Sequence, residues 1–329
     1  MSLLAPTLQA FFTERLVRQR QASSHTIAAY RDTWRLLIPF AGSRLHKAPS
    51  ALTITELDAP LIAAFLDHAE QDRGNTARTR NARLAAIRAL FRYAALGHPE
   101  EAAVIARVLA IPPKRFERRL VRYLTDVEVD TLLAVPDRTT WTGRRDHAWM
   151  ALAIQTGLRA SELIRLRGLD VHLEVAAHVS CLGKGRKQRI TPLTKPIVAV
   201  LRSWLAERSQ ASDAALFPTH TGRPLSRDAL ERRLAIHARA AAVTCPSLRE
   251  KRVTPHGLRH TAAMRLLHAG VDTTVIALWL GHEQVDTTQM YLQADLVLKE
   301  HALARTTPAQ VQAGRYRPPD TLLAFLEAL

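Results

Sequence analysis

DHAWMALAIQTGLRASELIRLRGLD, residues 146–170, spells an apolar helix, a break at Gly157 and a second helix. Arg159 stands directly after the break. Helical periodicity continues outward on both sides of this stretch, with one exception. EVAAHVSCLGKGRKQRITPL, residues 174–193, alternates and is β-branched on both sides of GKGRK. That pattern predicts a hairpin with a basic glycine turn, which carries Lys184. Beyond it the spacing predicts helices over 194–209, 226–241, 257–269, 272–280 and 287–298. Before it, TDVEVDTLLAVP reads as a helix capped by Thr125, with Glu128 three residues on as a capping box. The expected fold class is therefore mainly α, with a small β-sheet or hairpin in the second half.

The first 110 residues show no strand pattern. Two helices are expected within 6–41. One places Leu8, Phe11, Phe12 and Leu16 on a face, and the other, capped by Ser24, places Ile27, Tyr30, Trp34 and Leu37 together. APLIAAFLDHAEQ gives a third. RGNTARTRNARLAAIRALFRYAAL gives a fourth, with Leu84, Ile87, Leu90 and Phe91 inward and Arg78, Arg80, Arg83 and Arg88 in its early turns. A short fifth fits residues 100–109. IPPKRFERRLVRYLT, residues 111–125, interrupts helix with two prolines and then turns basic, as an interdomain linker does. The expected organisation is a helical domain over 1–110, a linker over 111–123, a second domain over 124–305 and a tail over 306–329.

Composition narrows the function classes. No apolar run approaches the roughly 18 residues that a membrane span needs. The N-terminus lacks the basic region of a signal peptide. The 2 cysteines, Cys181 and Cys245, suit a reducing cytosol better than a disulfide framework. The 46 lysines and arginines against 30 acidic residues give a net charge of +16, with arginine far ahead of lysine. A guanidinium grips phosphate through two parallel hydrogen bonds, so a polyanionic partner is expected, nucleic acid first.

Six polar residues interrupt the helices at places where chemistry could sit. Arg159 follows the glycine break, and Lys184 rides the hairpin turn. His256 and Arg259, in TPHGLRHT, lie three apart and can face one way from a helix start. His282 follows Gly281. Tyr291 lies on the next helix, with Asp286 as its cap. No carboxylate pair accompanies them, as a metal-dependent nuclease would require. His256 and His260 have zinc spacing, but HGLRH lacks the glutamate of HExxH. The set suits phosphoryl transfer without metal or cofactor. Two arginines neutralise the non-bridging oxygens, a tyrosine oxygen attacks phosphorus, and a lysine or histidine protonates the leaving 5′-oxygen. Each residue also has a plain alternative: Tyr291 as a packing residue, and Arg159 with Glu162 as an ordinary i,i+3 ion pair.

Four stretches then fall into a known order. TGLRASELIRLRGLD, CLGKGRKQRITPL, HGLRHTAA and LGHEQVDTTQMYL resemble the first arginine box, the lysine hairpin, the HxxR box and the LGH…Y box of the tyrosine recombinase, or phage-type integrase, family. TxxxYxxxWRLLIPF and TRNARLAAIRALFRYA resemble its SAM-like core-binding domain. The resemblance implies a two-domain, C-shaped clamp on double-stranded DNA and cleavage through a 3′-phosphotyrosine. Tyr291 is then the nucleophile and Arg159 and Arg259 the phosphate ligands. Lys184 is the acid for the 5′-oxygen, His256 an acid or base, and His282 a phosphate hydrogen-bond donor. It also implies DNA-associated work in the bacterial cytoplasm, on a mobile element among other contexts, by a monomer that becomes a homotetramer on synapsed sites. The tail AGRYRPPDTLLAFLEAL, residues 313–329, is expected to form a short apolar helix that docks on its own domain or on a neighbouring protomer. A topoisomerase-like relaxing enzyme and a DNA-binding protein with a decayed site remain open at this point.

Overall fold

The computed structural model describes residues 2–116, 122–183, 188–207 and 213–281, and these form two compact units divided at Arg118. Among the described residues no helix is long and apolar enough to cross a membrane.

The first unit is helical. Helix α1 (Leu4–Ala10) runs on as a π-helical segment (Phe11–Gln19), followed by α2 (Ser24–Leu45), α3 (Ala59–Gln71), α4 (Ala77–Ala94) and α5 (Ala102–Ala110). The expected apolar faces form its core. Phe11, Leu16, Trp34, Leu37, Leu84, Ile87, Leu90 and Phe91 are all buried there. The cap of α2 is Ser23 rather than Ser24. Its hydroxyl accepts the Thr26 N–H, and two adjacent serines made the choice ambiguous by one residue. Arg80 turns inward beside Glu70 and Arg88 donates to the Ile111 carbonyl, so these two arginines of α4 are committed within the unit.

The second unit opens with α6 (Asp126–Ala134), where Thr125 and Glu128 close the expected capping box. Its entry is pinned. The Leu124 N–H donates to Thr261 Oγ1 at 2.9 Å, and Lys251 bridges the Tyr123 carbonyl and Glu128. Helix α7 (Trp141–Thr156) is almost entirely buried and forms the spine of the unit. It ends at Gly157, and α8 (Ala160–Arg165) follows.

Three antiparallel strands come next: β1 (Val171–His172), β2 (His178–Leu182) and β3 (Gln188–Pro192), in the order β1-β2-β3. The hairpin is the expected one, with Leu182 paired to Gln188 and Cys181 to Arg189. Strand β1 was not legible, because two residues are too few to show alternation. Helices α9 (Lys195–Ala206), α10 (Arg227–Thr244), α11 (Pro255–His268) and α12 (Thr273–Leu280) complete the described part. The expected helix over 287–298 and the tail 313–329 lie outside the described residues.

One buried carboxylate ties α7 to α10. Asp146 has no exposed side-chain surface and accepts from Arg145, Trp149 Nε1, Arg233 and His237. Burial alone would raise its pKa. Hydrogen bonds from His237 and Arg145, with the charge of Arg145 and a bond from Arg233, lower it to about 2. Trp149 is fully buried and spends its N–H on this hub.

Candidate active site

The Gly157 break has a conformational cause. Gly157 ends α7 at φ +64°, where a side chain is strained, and a Cβ there would stand 2.5 Å from Leu280 Cδ2. The same event closes α12. Gly281 has φ +64°, and its Cβ would meet Arg189 Nη1 at 2.8 Å. The arginine box and the LGH box are thus pressed together at two glycine-ended helices.

Arg259 and Arg159 are held across this junction. Arg259, 2 % exposed, donates through Nη1 to the Gly157 carbonyl at 2.7 Å and through Nη2 to the Leu280 carbonyl at 2.6 Å. Arg159 donates through Nη2 to the Gly281 carbonyl at 3.0 Å, and about a third of its side chain (32 %) stays exposed. These carbonyls belong to the C-terminal ends of α7 and α12, whose partial negative charge favours cations.

Among the described residues, Glu162 is the carboxylate that holds Arg159. It is buried in the first turn of α8. One oxygen accepts Arg159 Nη1 at 2.7 Å, and the other accepts the Arg159 backbone N–H at 2.8 Å and Arg189 Nη2 at 2.8 Å. The plain i,i+3 ion pair foreseen for Arg159 and Glu162 therefore exists, but it is one arm of a larger frame. Arg159 and Arg189 pair with Glu162, and Arg259 reaches the Leu280 carbonyl that Arg189 also uses, so these four side chains carry an excess of two positive charges. A phosphodiester holds one negative charge and gathers a second as it becomes five-coordinate, so the excess suits the transition state better than the ground state.

His256 is exposed in the first turn of α11, one turn before Arg259, and its ring meets that of His260 edge-on at 4.1 Å. Among the described residues no group of three His, Cys, Asp or Glu side chains is placed to hold a metal. Cys181, paired with Arg189 across the hairpin, is buried. Burial raises its thiol pKa against the opposing pull of Arg189, which makes it a poor competing nucleophile. Lys184, His282 and Tyr291 lie outside the described residues. The structure thus brings Arg159 and Arg259 to one junction and sets His256 on the Arg259 helix.

Two participants were not singled out in the sequence. Glu162 was weighed only as an ion-pair partner. Arg189 was quoted within its box without a role. On β3, Arg189 and Thr191 point in, and Ile190 is 62 % exposed.

Residues 122–296 match the model of the phage integrase family, and residues 10–97 match that of the phage integrase N-terminal SAM-like domain. The chain belongs to the phage integrase family. It is 55 % identical to an integrase/recombinase of Sinorhizobium fredii, over 99 % of this chain and 98 % of that one. It is 33 % identical to the tyrosine recombinase XerC of Xanthomonas campestris, over 86 % and 83 % of the two chains. Among solved structures it resembles the XerH site-specific recombinase bound to its difH substrate, with a TM-score of 0.70, 21 % identity and coverage of 87 % and 81 %. It also resembles the Tn1549 transposon integrase in complex with circular intermediate DNA, with a TM-score of 0.68, 15 % identity and coverage of 93 % and 100 %. At these identities the structural likenesses speak for the fold. Membership makes the chain a tyrosine recombinase, a site-specific DNA strand transferase.

Proposed function

We propose that this tyrosine recombinase cleaves double-stranded DNA through Tyr291. The phenol oxygen attacks the scissile phosphorus, a 3′-phosphotyrosine bond forms, and the bond from phosphorus to the 5′-oxygen breaks. Lys184 supplies the proton that the 5′-oxygen takes up. In the second half a 5′-hydroxyl from the partner strand attacks, returns a proton to Lys184 and releases Tyr291. Arg159 and Arg259 bind the non-bridging oxygens, His282 donates to one of them, and His256 assists proton movement. Tyrosine's ordinary pKa of about 10 requires its proton to leave on the way, and His256 takes it up and returns it when Tyr291 is released. The positive excess of the site favours the phenolate.

The arginine junction is the observation that carries this reading. Two guanidiniums are already fixed by backbone carbonyls and one carboxylate, so little reorganisation remains when charge develops on phosphate.

Two-site exchange then proceeds in a homotetramer assembled on synapsed sites from protomers that are monomeric when free. Residues 313–329 link neighbours in that assembly. Deleting residues 317–329 should leave single-site binding nearly intact and reduce exchange. Recombination at the full-length rate by the truncated chain would remove the tail from the assembly.

The deciding experiment uses a nicked suicide duplex spanning an end of the host element. The native chain should form an adduct that survives denaturant, and Tyr291→Phe should form none. An adduct retained by Tyr291→Phe would displace the nucleophile, and no adduct from the native chain on any tiled duplex would favour a binding protein. Relaxation of supercoiled DNA without exchange between two sites would favour a topoisomerase-like enzyme.

A further inference from the structure

Arg189 stands five residues after Lys184, on β3. It faces inward, with its side chain only 10 % exposed. Two hydrogen bonds tie it to the rest of the site. Nη2 donates to Glu162 Oε2 at 2.8 Å, and Nη1 donates to the Leu280 carbonyl. Both acceptors are shared. Glu162 also holds Arg159, and the Leu280 carbonyl also accepts from Arg259. Arg189 thus meets each phosphate-binding arginine at one common acceptor. It also fills the space that the missing Cβ of Gly281 leaves, which gives the LGH glycine a packing reason beyond its left-handed backbone.

The strand ladder joins β3 to β2 and, through β2, to β1, all within the sheet. The ladder therefore holds the hairpin's internal register, while buried Val179 and Cys181 and the bond from Gln155 to the Pro192 carbonyl seat the sheet on the unit. Arg189 adds an attachment directly to the acceptors of the two arginines. We propose that Arg189 is a positioning residue: it locks the hairpin that carries Lys184 to Glu162 and to the Leu280 carbonyl, so that acid and phosphate ligands share one frame. This rests on Lys184 being the acid.

Arg189 is paired with Cys181, and the hairpin runs on to the Leu182–Gln188 pair. A displacement of about 1 Å in a positioned group costs about a hundredfold where proton transfer needs hydrogen-bond reach. Lysine keeps the charge but not the planar fork, so it can satisfy one acceptor well and not both.

The test is a double-mutant cycle on cleavage of the suicide duplex, using Arg189→Met, Lys184→Ala and the double variant, with Arg189→Lys alongside. Arg189→Met should slow single-turnover cleavage by about a hundredfold. Arg189→Lys should recover part of the loss. In the Lys184→Ala background, Arg189→Met should cost less than about threefold more, because the positioned group is already gone. Additive losses, or parental cleavage by Arg189→Met, would overturn the proposal. Should Arg189→Met fail to fold, the same cycle is run with Arg189→Lys and judged in the same way. A duplex with a bridging 5′-sulfur separates the two ideas, since sulfur leaves without an acid. Lys184→Ala unrescued by sulfur removes the acid role, while the cycle alone decides whether Arg189 acts through the hairpin.

Discussion

Replacing Glu162 by glutamine tests the frame at its one negative charge. The side chain is 4 % exposed and accepts three N–H donors: the Arg159 backbone, Arg159 Nη1 and Arg189 Nη2. Glutamine has the same shape but only one oxygen. In one amide orientation its NH2 faces Arg189 Nη2 and the Arg159 N–H. In the other it faces Arg159 Nη1. Either way a donor opposes a donor, and the local positive excess rises from two to three. Removing one partner of a buried pair costs about 3–5 kcal/mol. The retained oxygen offsets part of this, so about 2–3 kcal/mol of stability should be lost. For a unit of this size that lowers Tm by roughly 5–10 °C. Cleavage should fall by about a hundredfold as Arg159 loses its charged anchor and keeps only the Gly281 carbonyl, in proportion to about 2.7 kcal/mol of transition-state stabilisation. Glu162→Asp, which keeps the charge and loses reach, should fall between. Thermal unfolding and single-turnover adduct formation read the two effects. A Glu162→Gln variant with native Tm and native cleavage would refute the frame as a cause of reactivity.

Acid should weaken the second unit in two windows. Burial, with Arg138 beside it, lowers His147 from 6.5 to about 4. Its neutral form is favoured by the fold, so about 3 kcal/mol is present above pH 6.5 and lost as pH falls towards 4. Asp146, lowered from 3.8 to about 2, should add a loss of about 2 kcal/mol between those values. Urea midpoints from pH 7 to 4.5 should flatten in His147→Gln, and an unchanged slope would acquit His147. Gly157→Ala should destabilise by about 2–3 kcal/mol through left-handed strain and the contact with Leu280, measured by denaturant unfolding. A change below about 0.5 kcal/mol would mean that the junction relaxes freely. DNA affinity should fall steeply with salt, and Arg159→Gln should reduce the slope of log K against log salt by about one. An unaltered slope would remove Arg159 from phosphate contact.

Legibility followed the range of the interactions. The bounds of α3 and the Thr125–Glu128 box depend on residues within one or two turns, and both match the structure. The apolar faces of α2 and α4 were legible because helical periodicity is a local property. Strand β1 was too short to carry a period. Arg189 reads as a surface arginine on an alternating strand until Glu162, 27 positions away in the chain, and the Leu280 carbonyl, 91 away, are set beside it. The order of the four boxes pointed to Arg159 and Arg259. It did not show that their anchors are the carbonyls of Gly157, Leu280 and Gly281.

Those anchors decide where the site is vulnerable. A backbone carbonyl cannot be deleted by substituting its side chain, so the acceptors of Arg259 survive most mutations at their own positions. They move only if the helix ends move. The helix ends are set by two glycines, each left-handed and each with a neighbour inside the volume of a Cβ. Sensitivity should therefore concentrate on the guanidiniums, on Glu162, and on Gly157 and Gly281, which touch no proton or phosphate in the proposed reaction. Cations resting on the negative ends of two helices are partly neutralised without adding a second carboxylate that would compete with phosphate. Among the described residues, one carboxylate and three carbonyls hold the arginines in place and leave a two-charge excess for the phosphate of the proposed reaction.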